Sequence, residues 1–285
     1  MKKNYIIYGI ISIICIVAIV GGVIYQINLD KPLKPEVVEN EIQEDPVIET
    51  SDSPQKYRDE FMSLFDNTFY NQGNDITNIK KINGLEEQEV IYAAYNIKEE
   101  QEGKYNVDIN LPAFNVDSED AASFNETTQK IFANKAGDVL FKSDKYTIYN
   151  VQYVAYLNED ILSLVIKSTL KEGDAKERLI VQTYNYDITT GKAITLNELL
   201  EKKGITQKEV NRKITQQVRQ AAKETEEVAE QLANAGQTVY ERDINNAMYV
   251  TDNVNQFFIG KDGQIYIIYP YGNTNLTSEI DVIKV

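Results

Sequence analysis

The first thirty residues constrain this chain most, because they contain a continuous apolar segment. Residues 5–27 include no Asp, Glu, Lys or Arg, and a helix needs about 20 apolar residues to cross the hydrocarbon core of a membrane. Lys2 and Lys3 precede the segment, and acidic residues follow it from Asp30 onward. Since cytoplasmic flanks are enriched in positive charge, the pattern predicts a single-pass protein of the cell membrane with a cytoplasmic N-terminus and an extracytoplasmic remainder.

A cleaved signal peptide and a lipoprotein signal are the two alternatives to an uncleaved anchor. A signal peptide has a shorter apolar region and ends at small residues in an Ala-x-Ala-like pattern, which residues 5–27 lack. A lipoprotein would use Cys15, but Ile14 precedes this cysteine and Ile16 continues the apolar run. We therefore expect residues 1–27 to remain as a transmembrane anchor.

Residues 28–55 predict an extended acidic linker. Residues 28–53 contain Pro32, Pro35 and Pro46 and show neither helical nor strand periodicity. The formal charge of −15 divides into +2 before residue 28, −6 in residues 28–53 and −11 in the remainder. Such a segment repels itself and stays extended. Nucleic acid and anionic lipid are disfavoured as partners, whereas a cationic protein would be attracted.

The residue inventory excludes several classes of enzyme. The chain has no histidine, and its single cysteine, Cys15, lies in the apolar segment. Histidine-based catalytic triads, His-ligated zinc sites, thiol nucleophiles and disulfides are therefore excluded from the extracytoplasmic part. Carboxylate pairs such as Glu119 with Asp120, or Glu226 with Glu227, are helix neighbours about 100° apart, which does not suit glycoside hydrolysis. We expect no catalytic residues, no metal and no cofactor.

Periodicity behind the linker predicts an α+β fold with antiparallel β-sheets and packed helices. Turns rich in Asn, Asp and Gly separate the strands, which favours hairpins and an antiparallel meander. We expect a small α+β domain at residues 56–142 and a second α+β domain at residues 143–285. The predicted strands span residues 90–98, 104–111 (ended by Pro112), 146–156, 161–169, 179–188, 264–269 and 280–285.

Capping signals predict where three of the helices begin. A side-chain oxygen followed three residues later by a carboxylate satisfies the first backbone N–H groups of a helix. The three pairs are Asp117 with Asp120, Thr195 with Glu198, and Thr206 with Glu209. The apolar face predicted for the first of these helices comprises Phe124, Thr128, Ile131, Phe132 and Val139.

The helix after Thr206 carries a heptad-like stripe. We expect this stripe to pack on the protein's own sheet, because Ala and Thr would make a weak dimer seam, but self-association remains an alternative. The stripe comprises Ile214, Val218, Ala221, Thr225, Val228, Leu232 and Ala235.

Three stretches in the C-terminal half carry a family resemblance. Residues 160–166, the segment Thr-Tyr-Asn-Tyr-Asp-Ile-Thr-Thr-Gly-Lys at 183–192, and residues 194–200 are similar, in this order, to the extracytoplasmic domain shared by RsiV-type anti-sigma factors and PdaC-type peptidoglycan deacetylases. Residues 256–272 resemble the end of that domain. Residues 107–114 resemble part of the small companion domain that precedes it. The resemblance covers residues 90–285, and the tyrosine-rich segment is its most specific element.

Departures from the family pattern limit what the resemblance implies. Family members commonly carry a Gly-Gly-Ala-His loop where this chain has residues 171–177, and a second Pro-Tyr where it has residues 273–277. Residues 1–4 are too short to mask a sigma factor, and the deacetylase needs a further domain with Asp and His ligands. We therefore expect only the binding or sensing module.

The resemblance implies recognition of lysozyme or of wall glycan at the bacterial cell surface. Tyrosines can stack on sugars or pack against a protein partner at little entropic cost. Tyr184 and Tyr186 are also typical of a strand core, which we favour for this pair, and the loop 171–177 is also typical of a solvated turn. The candidate ligand-binding residues are Tyr269, Pro270, Tyr271, Gly272, Glu172, Gly173, Asp174, Tyr184 and Tyr186.

The sequence thus predicts a membrane-anchored, non-catalytic extracytoplasmic module that recognises a lysozyme-like cationic protein or peptidoglycan. Two alternatives remain. One is a cell-wall hydrolase that uses carboxylates alone. The other is a structural partner in an envelope complex that assembles through the long helix.

Overall fold

The computed structural model describes residues 54–66, 89–235, 242–271 and 279–285. These residues belong to one compact unit, Thr50–Val285. The predicted anchor, residues 1–27, and nearly all of the predicted linker lie outside the described residues; the last two linker positions are already helical. In the described ranges, none of the helices has the length and apolarity that crossing a bilayer demands.

Six strands form the larger sheet, in the order β1-β2-β3-β4-β5-β6. Strands β2 and β3 are parallel, and every other neighbouring pair is antiparallel. The predicted antiparallel-rich α+β class is confirmed, whereas the parallel pairing was not predicted. The strands are β1 Ile91–Gln101, β2 Tyr105–Phe114, β3 Thr147–Asn158, β4 Ile161–Glu172, β5 Arg178–Asp187 and β6 Lys192–Ala193.

The smaller sheet is an antiparallel meander of β7 Phe257–Ile259, β8 Ile265–Tyr271 and β9 Glu279–Lys284. The turn between β7 and β8 requires glycine at both of its ends. A Cβ added at Gly260 would lie 2.6 Å from the Tyr266 ring, and Gly263 has a φ of +76°. Only glycine accepts these two conditions without strain.

The described ranges contain five α-helices that pack on these sheets: α1 Pro54–Ser63, α2 Glu119–Thr128, α3 Asn134–Lys142, α4 Leu196–Lys203 and α5 Gln207–Asn234. The capping box of Thr195 with Glu198 is confirmed, because both of its hydrogen bonds form. Thr206 likewise accepts from the Glu209 N–H at the start of α5. The prediction for α2 is wrong by one residue, since Ser118 accepts from the Ala121 N–H at 3.1 Å and is the N-cap instead of Asp117.

Helices α2 and α3 cover one face of the larger sheet. A π-helical turn, Gln129–Ala133, joins them and changes the residues that point inward. Phe132 is fully buried, whereas Ile131 is 40% exposed, so the prediction that Ile131 belongs to the buried face is wrong. The core under these helices includes Val107, Ile109, Ala121, Phe124, Phe132, Val139, Tyr149, Val151, Leu164 and Ile166.

The opposite face of the larger sheet packs, at one end, against the smaller sheet and α1. Val154, Tyr156 and Val165 meet Phe258 and Phe61 in this layer. Helices α4 and α5 cover the far side of the smaller sheet, where the apolar residues include Leu199, Val210, Ile214, Val218, Ile259, Ile267 and Ile283. The first half of the heptad-like stripe therefore packs on the protein's own sheet, as the sequence favoured.

Strand β2 continues through Pro112, although the sequence predicted that it would end there. Pro112 lies opposite Ala93, where the register between β1 and β2 shifts. Because a bulge tolerates the missing N–H of proline, the strand reaches Phe114.

The predicted domain boundary after residue 142 does not coincide with a break in the fold. Pairing of β2 with β3, from Tyr105 opposite Thr147 to Ile109 opposite Val151, joins the segments on both sides of the boundary in one sheet. Because the two segments share a sheet, both contribute buried residues to one hydrophobic core.

Candidate functional site

The tyrosine-rich segment lies in β5, and its two aromatic rings belong to the core beneath α2. Tyr186 is 1% exposed. Tyr184 stacks on Phe124 with 4.5 Å between ring centroids and meets Phe114 edge-on at 5.2 Å. Burial raises the pKa of the Tyr184 hydroxyl. In this structure neither ring is presented to a ligand, which agrees with the core interpretation favoured for this pair.

The alternate residues of the same segment dock the smaller sheet. The Thr183 N–H donates to Gln256 Oε1 at 2.6 Å. Asn185 donates to the Phe257 carbonyl at 2.8 Å and accepts from Ser163 Oγ at 2.6 Å. The most specific element of the family resemblance therefore has structural roles on both faces of its strand.

Asp187 completes this segment by holding the following turn and helix α4. One carboxylate oxygen accepts from the Thr189 N–H at 2.8 Å. The other accepts from Lys202 Nζ at 2.8 Å, and the same ammonium donates to Asp160 at 2.6 Å. Hydrogen bonding to Lys202 lowers the pKa of Asp160, and hydrogen bonding to Asp160 raises the pKa of Lys202. This cluster is a structural clamp.

The predicted C-terminal site is only partly within the described residues. Tyr269 is 3% exposed, and its ring meets Tyr249 edge-on at 5.0 Å. Among the described residues its buried hydroxyl has no hydrogen-bond partner, and burial raises the pKa of this hydroxyl. Pro270 is exposed. Gly272 and the side chain of Tyr271 lie outside the described residues, so the structure gives no position for this part of the predicted site.

A buried ion pair lies beside Tyr269. Asp281 lies opposite Tyr269 in the β8–β9 ladder. Its carboxylate accepts hydrogen bonds from Arg242 Nε at 2.9 and 3.0 Å and from the Tyr249 hydroxyl at 3.2 Å. Arg242 also donates to the Ala221 carbonyl of α5 at 3.1 Å. Sequence patterns do not predict this network, because its members are far apart in the chain and match no motif.

The β4–β5 turn is the predicted element that borders a groove. We call this depression the hairpin groove; its volume is about 430 Å³. Glu172 lines it, while Gly173, with a φ of +55°, forms the turn and donates its N–H to the Tyr146 carbonyl at 2.8 Å. Asp174 is exposed at the turn. The groove is lined by Lys135, Asp138, Val139, Lys142, Ser143, Asp144, Lys145, Thr147, Glu172 and Ala175.

Charges of both signs alternate around the hairpin groove. Glu172 accepts from Lys135 at 2.7 Å and contacts Arg178 on its other side. The hydrogen bond from Lys135 lowers the pKa of Glu172, so this carboxylate stays ionised. Lys142 pairs with Asp138 at 2.7 Å. Within the described part of the chain, Asp144 and Lys145 make no ion pair, and they are the two charges left for a ligand.

Local hydrogen bonds fix the floor of the hairpin groove. Ser143 Oγ donates to the Lys145 carbonyl at 2.6 Å, and the Ser143 and Thr147 hydroxyls lie 2.9 Å apart. Sequence reasoning missed Lys135, Lys145 and Thr147 because they come from a helix, a loop and a strand that carry no motif. Among the described residues no group of three or more Cys, Asp or Glu side chains is arranged to hold a metal ion.

The fold and this groove define an α+β domain that presents a polar, mixed-charge depression beside a β-hairpin. Comparisons with protein-family models and with curated proteins find no match. Solved structures include similar chains. A DUF3298 family protein from Pseudomonas aeruginosa PAO1 is 12% identical, with 65% of this chain and 83% of that chain covered and a TM-score of 0.37. A DUF3298 member from Bacteroides fragilis NCTC 9343 is 14% identical, with 64% and 80% covered and a TM-score of 0.31.

Proposed function

We propose that this chain is a membrane-anchored, extracytoplasmic binding module that recognises peptidoglycan through the hairpin groove and catalyses no reaction. The observation that supports this most is that Asp144 and Lys145, at the rim of the groove, make no ion pair with the described residues, whereas the other charges of the groove are paired. A ligand that carries both an amino group and a carboxylate can satisfy both. The stem peptides of peptidoglycan have this zwitterionic character.

The groove is suited to such a peptide because its partners are preorganised. Glu172 is held by Lys135 and Arg178, and the loop that carries Lys145 is fixed by Ser143. Charge-assisted hydrogen bonds to fixed groups are stronger than those between neutral groups. Preorganised partners also lower the entropic cost of binding.

The sequence before the compact unit supplies the location for this function. An apolar anchor at residues 1–27 and an acidic linker at residues 28–55 would hold the domain outside the membrane, within reach of the wall. The absence of histidine from the sequence leaves carboxylates, Lys, Ser and Tyr as the only groups for catalysis. Binding without chemistry is therefore the simpler function.

A cationic protein such as a lysozyme is the second candidate partner, and the net charge favours it. The chain after residue 53 carries a formal charge of −11. Long-range attraction between opposite charges accelerates association and weakens as salt screens it. Binding of lysozyme that is tight at low salt and lost at high salt would support this candidate, whereas salt-independent binding would contradict it.

Co-sedimentation with purified peptidoglycan tests the leading proposal. A chain of residues 50–285, which contains the whole compact unit, should sediment with the insoluble wall. Lys145→Met should weaken retention about tenfold, as expected for loss of a charged hydrogen bond. Lys171→Met is the matched control, because Lys171 lies on the opposite face of β4 from the groove and is exposed.

Two outcomes would contradict the proposal. The unmodified chain would remain in the supernatant, or Lys171→Met would reduce retention as much as Lys145→Met. The same incubation tests for catalysis, since release of new soluble muropeptides would show a hydrolase.

A further inference from the structure

A second polar depression lies on the opposite face of the larger sheet, and no sequence motif marks it. Strand register places Asp108 beside Asn150 and Asn150 beside Thr169, while Gln152 lies beside Lys167. These five side chains line a groove of about 210 Å³, which we call the sheet-face groove. It lies beyond the apolar end of this face, where Val154 and Val165 pack under the smaller sheet and α1.

Lys167 presents a half-buried positive charge to this groove. Its ammonium lies 4.7 Å from the centroid of the Phe65 ring. In the described ranges it makes no ion pair or hydrogen bond, and Asp66 and Glu177 act on it only through space. Burial lowers its pKa. A cation–π contact positions the ammonium without neutralising it, so an anionic ligand group would remove the cost of burying the charge.

The other polar groups of the groove are also incompletely used. In the described part of the chain, the Gln152 amide makes no hydrogen bond, and Asn150 makes only a long one, from Nδ2 to Thr169 Oγ1 at 3.4 Å. Asp108 Oδ2 accepts from Lys98 Nζ at 2.7 Å, and its Oδ1 accepts no hydrogen bond from the side chains of the described residues. These groups offer donors and acceptors side by side, which is what hydroxyl and acetamido groups require.

We propose that the sheet-face groove binds an N-acetylated sugar that carries a carboxylate. The carboxylate lies at Lys167, and the amides of Gln152 and Asn150 hydrogen-bond the acetamido group and the hydroxyls. Asp108 lies two strands from Lys167 and two residues along the strand direction, about 12 Å away at about 4.8 Å per strand and about 3.3 Å per residue, so it accepts a hydroxyl hydrogen without repelling the carboxylate. The volume is below the roughly 300–1,000 Å³ of pockets for drug-sized ligands and suits one sugar residue.

This inference deepens the proposed function, because it adds a sugar residue to the stem peptide as a recognised part of the wall. The two grooves lie on opposite faces of the larger sheet, so each can be disabled without touching the other. The shared ligand chemistry occurs in the N-acetylmuramic acid of bacterial wall and in the N-acetylneuraminic acid of animal glycans. The experiment therefore includes both.

Titration of residues 50–285 with three sugars, followed by NMR or calorimetry, tests the inference. Both carboxylated sugars should bind at least about tenfold more tightly than neutral N-acetylglucosamine, since one charged contact distinguishes them. Of the two carboxylated sugars, the one that binds with the higher affinity identifies the source of the ligand. Equal affinity for all three sugars, or no binding by any, would overturn the inference.

Substitutions locate the site. Lys167→Met keeps an alkyl chain against Phe65 and removes the charge, so the affinity for carboxylated sugars should fall about tenfold, to that of the neutral sugar. Lys167→Arg should retain most of the affinity. Lys171→Met, on the same strand and face but outside the groove, should change nothing. An unchanged affinity in Lys167→Met, or an equal loss in Lys171→Met, would contradict the site.

If Lys167→Met lowers Tm strongly, Gln152→Ala gives a second test, because it should lower the affinity for all three sugars by the same factor. An unchanged affinity in Gln152→Ala would contradict the assigned contacts. Failure of this inference is distinguishable from failure of the proposed function. Retention on peptidoglycan that depends on Lys145, with no sugar binding, would overturn the sugar site alone, whereas sugar binding without retention would overturn the proposed function alone.

Discussion

At the scale of single residues, Asn185 joins the two sheets through one buried side chain. Ser163 Oγ donates to Asn185 at 2.6 Å and accepts from the Ile259 N–H at 3.1 Å, while Asn185 donates to the Phe257 carbonyl. A buried amide that satisfies its neighbours in this way fixes one relative position of the two sheets. The polar residues of the tyrosine-rich segment are therefore explained by docking and not by ligand contact.

Asn185→Ala should lower the free energy of unfolding by about 2–3 kcal/mol, because the buried Ser163 hydroxyl loses its acceptor and the buried Phe257 carbonyl loses the amide that donates to it. Asn106→Ala, at a half-buried position of β2, should cost less than about 0.5 kcal/mol. Urea denaturation measures both. Similar costs for the two variants would show that the buried amide does not join the sheets.

Tyr269 and Tyr249 offer a matched pair, since their rings touch and only one hydroxyl has a partner among the contacts described. Tyr269→Phe should leave stability unchanged or raise it by up to about 1 kcal/mol, because an unsatisfied hydroxyl is removed. Tyr249→Phe should cost about 1 kcal/mol or more, because Asp281 loses a donor. Thermal unfolding compares them, and a marked loss of stability in Tyr269→Phe would disagree with this account.

The Lys202 clamp predicts a specific pH dependence. Asp160 has a lowered pKa, so its contribution is present above the ordinary Asp pKa and is lost as pH falls through the folded value. Lys202 has a raised pKa, so its contribution is present below the ordinary Lys pKa and is lost as pH rises through the folded value. Lys202→Met should therefore reduce stability by about 1 kcal/mol at neutral pH and by less below about pH 4. A difference that grows in acid would contradict the clamp.

At the scale of elements, helix α5 divides into a packed half and an exposed half. Val210, Ile214, Val218 and Ala221 are buried, whereas Val228, on the same stripe, is 41% exposed. The stripe predicted from the sequence is continuous, but the surface of the smaller sheet covers only its first half. Helix periodicity therefore predicted which face is apolar and not how much of it would be covered.

Val218→Ala should cost about 2 kcal/mol, because it removes two buried methyl groups and leaves a cavity. Val228→Ala, the same chemical change one heptad and a half later, should cost less than about 0.5 kcal/mol. Chemical denaturation checks the pair. Equal costs would mean that the second half of α5 is buried in solution, as in the self-associating alternative.

Elements with local signals were predictable from the sequence, and pairings between distant segments were not. The β1–β2 hairpin, the β3–β5 meander and the Thr195 capping box follow from turns and caps within a few residues. The parallel pairing of β2 with β3 depends on where α2 and α3 return the chain. The π-helical turn, which directs Ile131 outward, is not revealed by the spacing of apolar residues in the sequence.

The candidate site shows the same division. Glu172 was predicted from its loop, but its partner Lys135 lies 37 positions earlier, on α3. Lys167 and Gln152 come together only because β3 and β4 pair in one register. Sequence patterns find residues that act within one element, whereas both grooves are assembled from several.

At the scale of the whole molecule, two polar grooves occupy opposite faces of one sheet in an acidic domain. The formal charge of −11 after residue 53 would repel an anionic surface, while the local lysines of each groove still attract single anionic groups. Specific recognition of a wall polymer therefore depends on these few positions. The expected anchor and linker would bring both grooves to that polymer.

A photocrosslinking amino acid at position 175 of the full chain, where the exposed Ala175 lines the hairpin groove without being one of its proposed ligand contacts, tests the central claim most directly in bacterial cells that produce the protein. Because the account places the hairpin groove outside the membrane and against the wall, irradiation of intact cells should yield adducts with peptidoglycan that a muramidase releases. The same group at position 208, which is exposed at the start of α5 and belongs to neither groove, should yield few adducts. Adducts only with cytoplasmic proteins, or equal yields at both positions, would contradict the account.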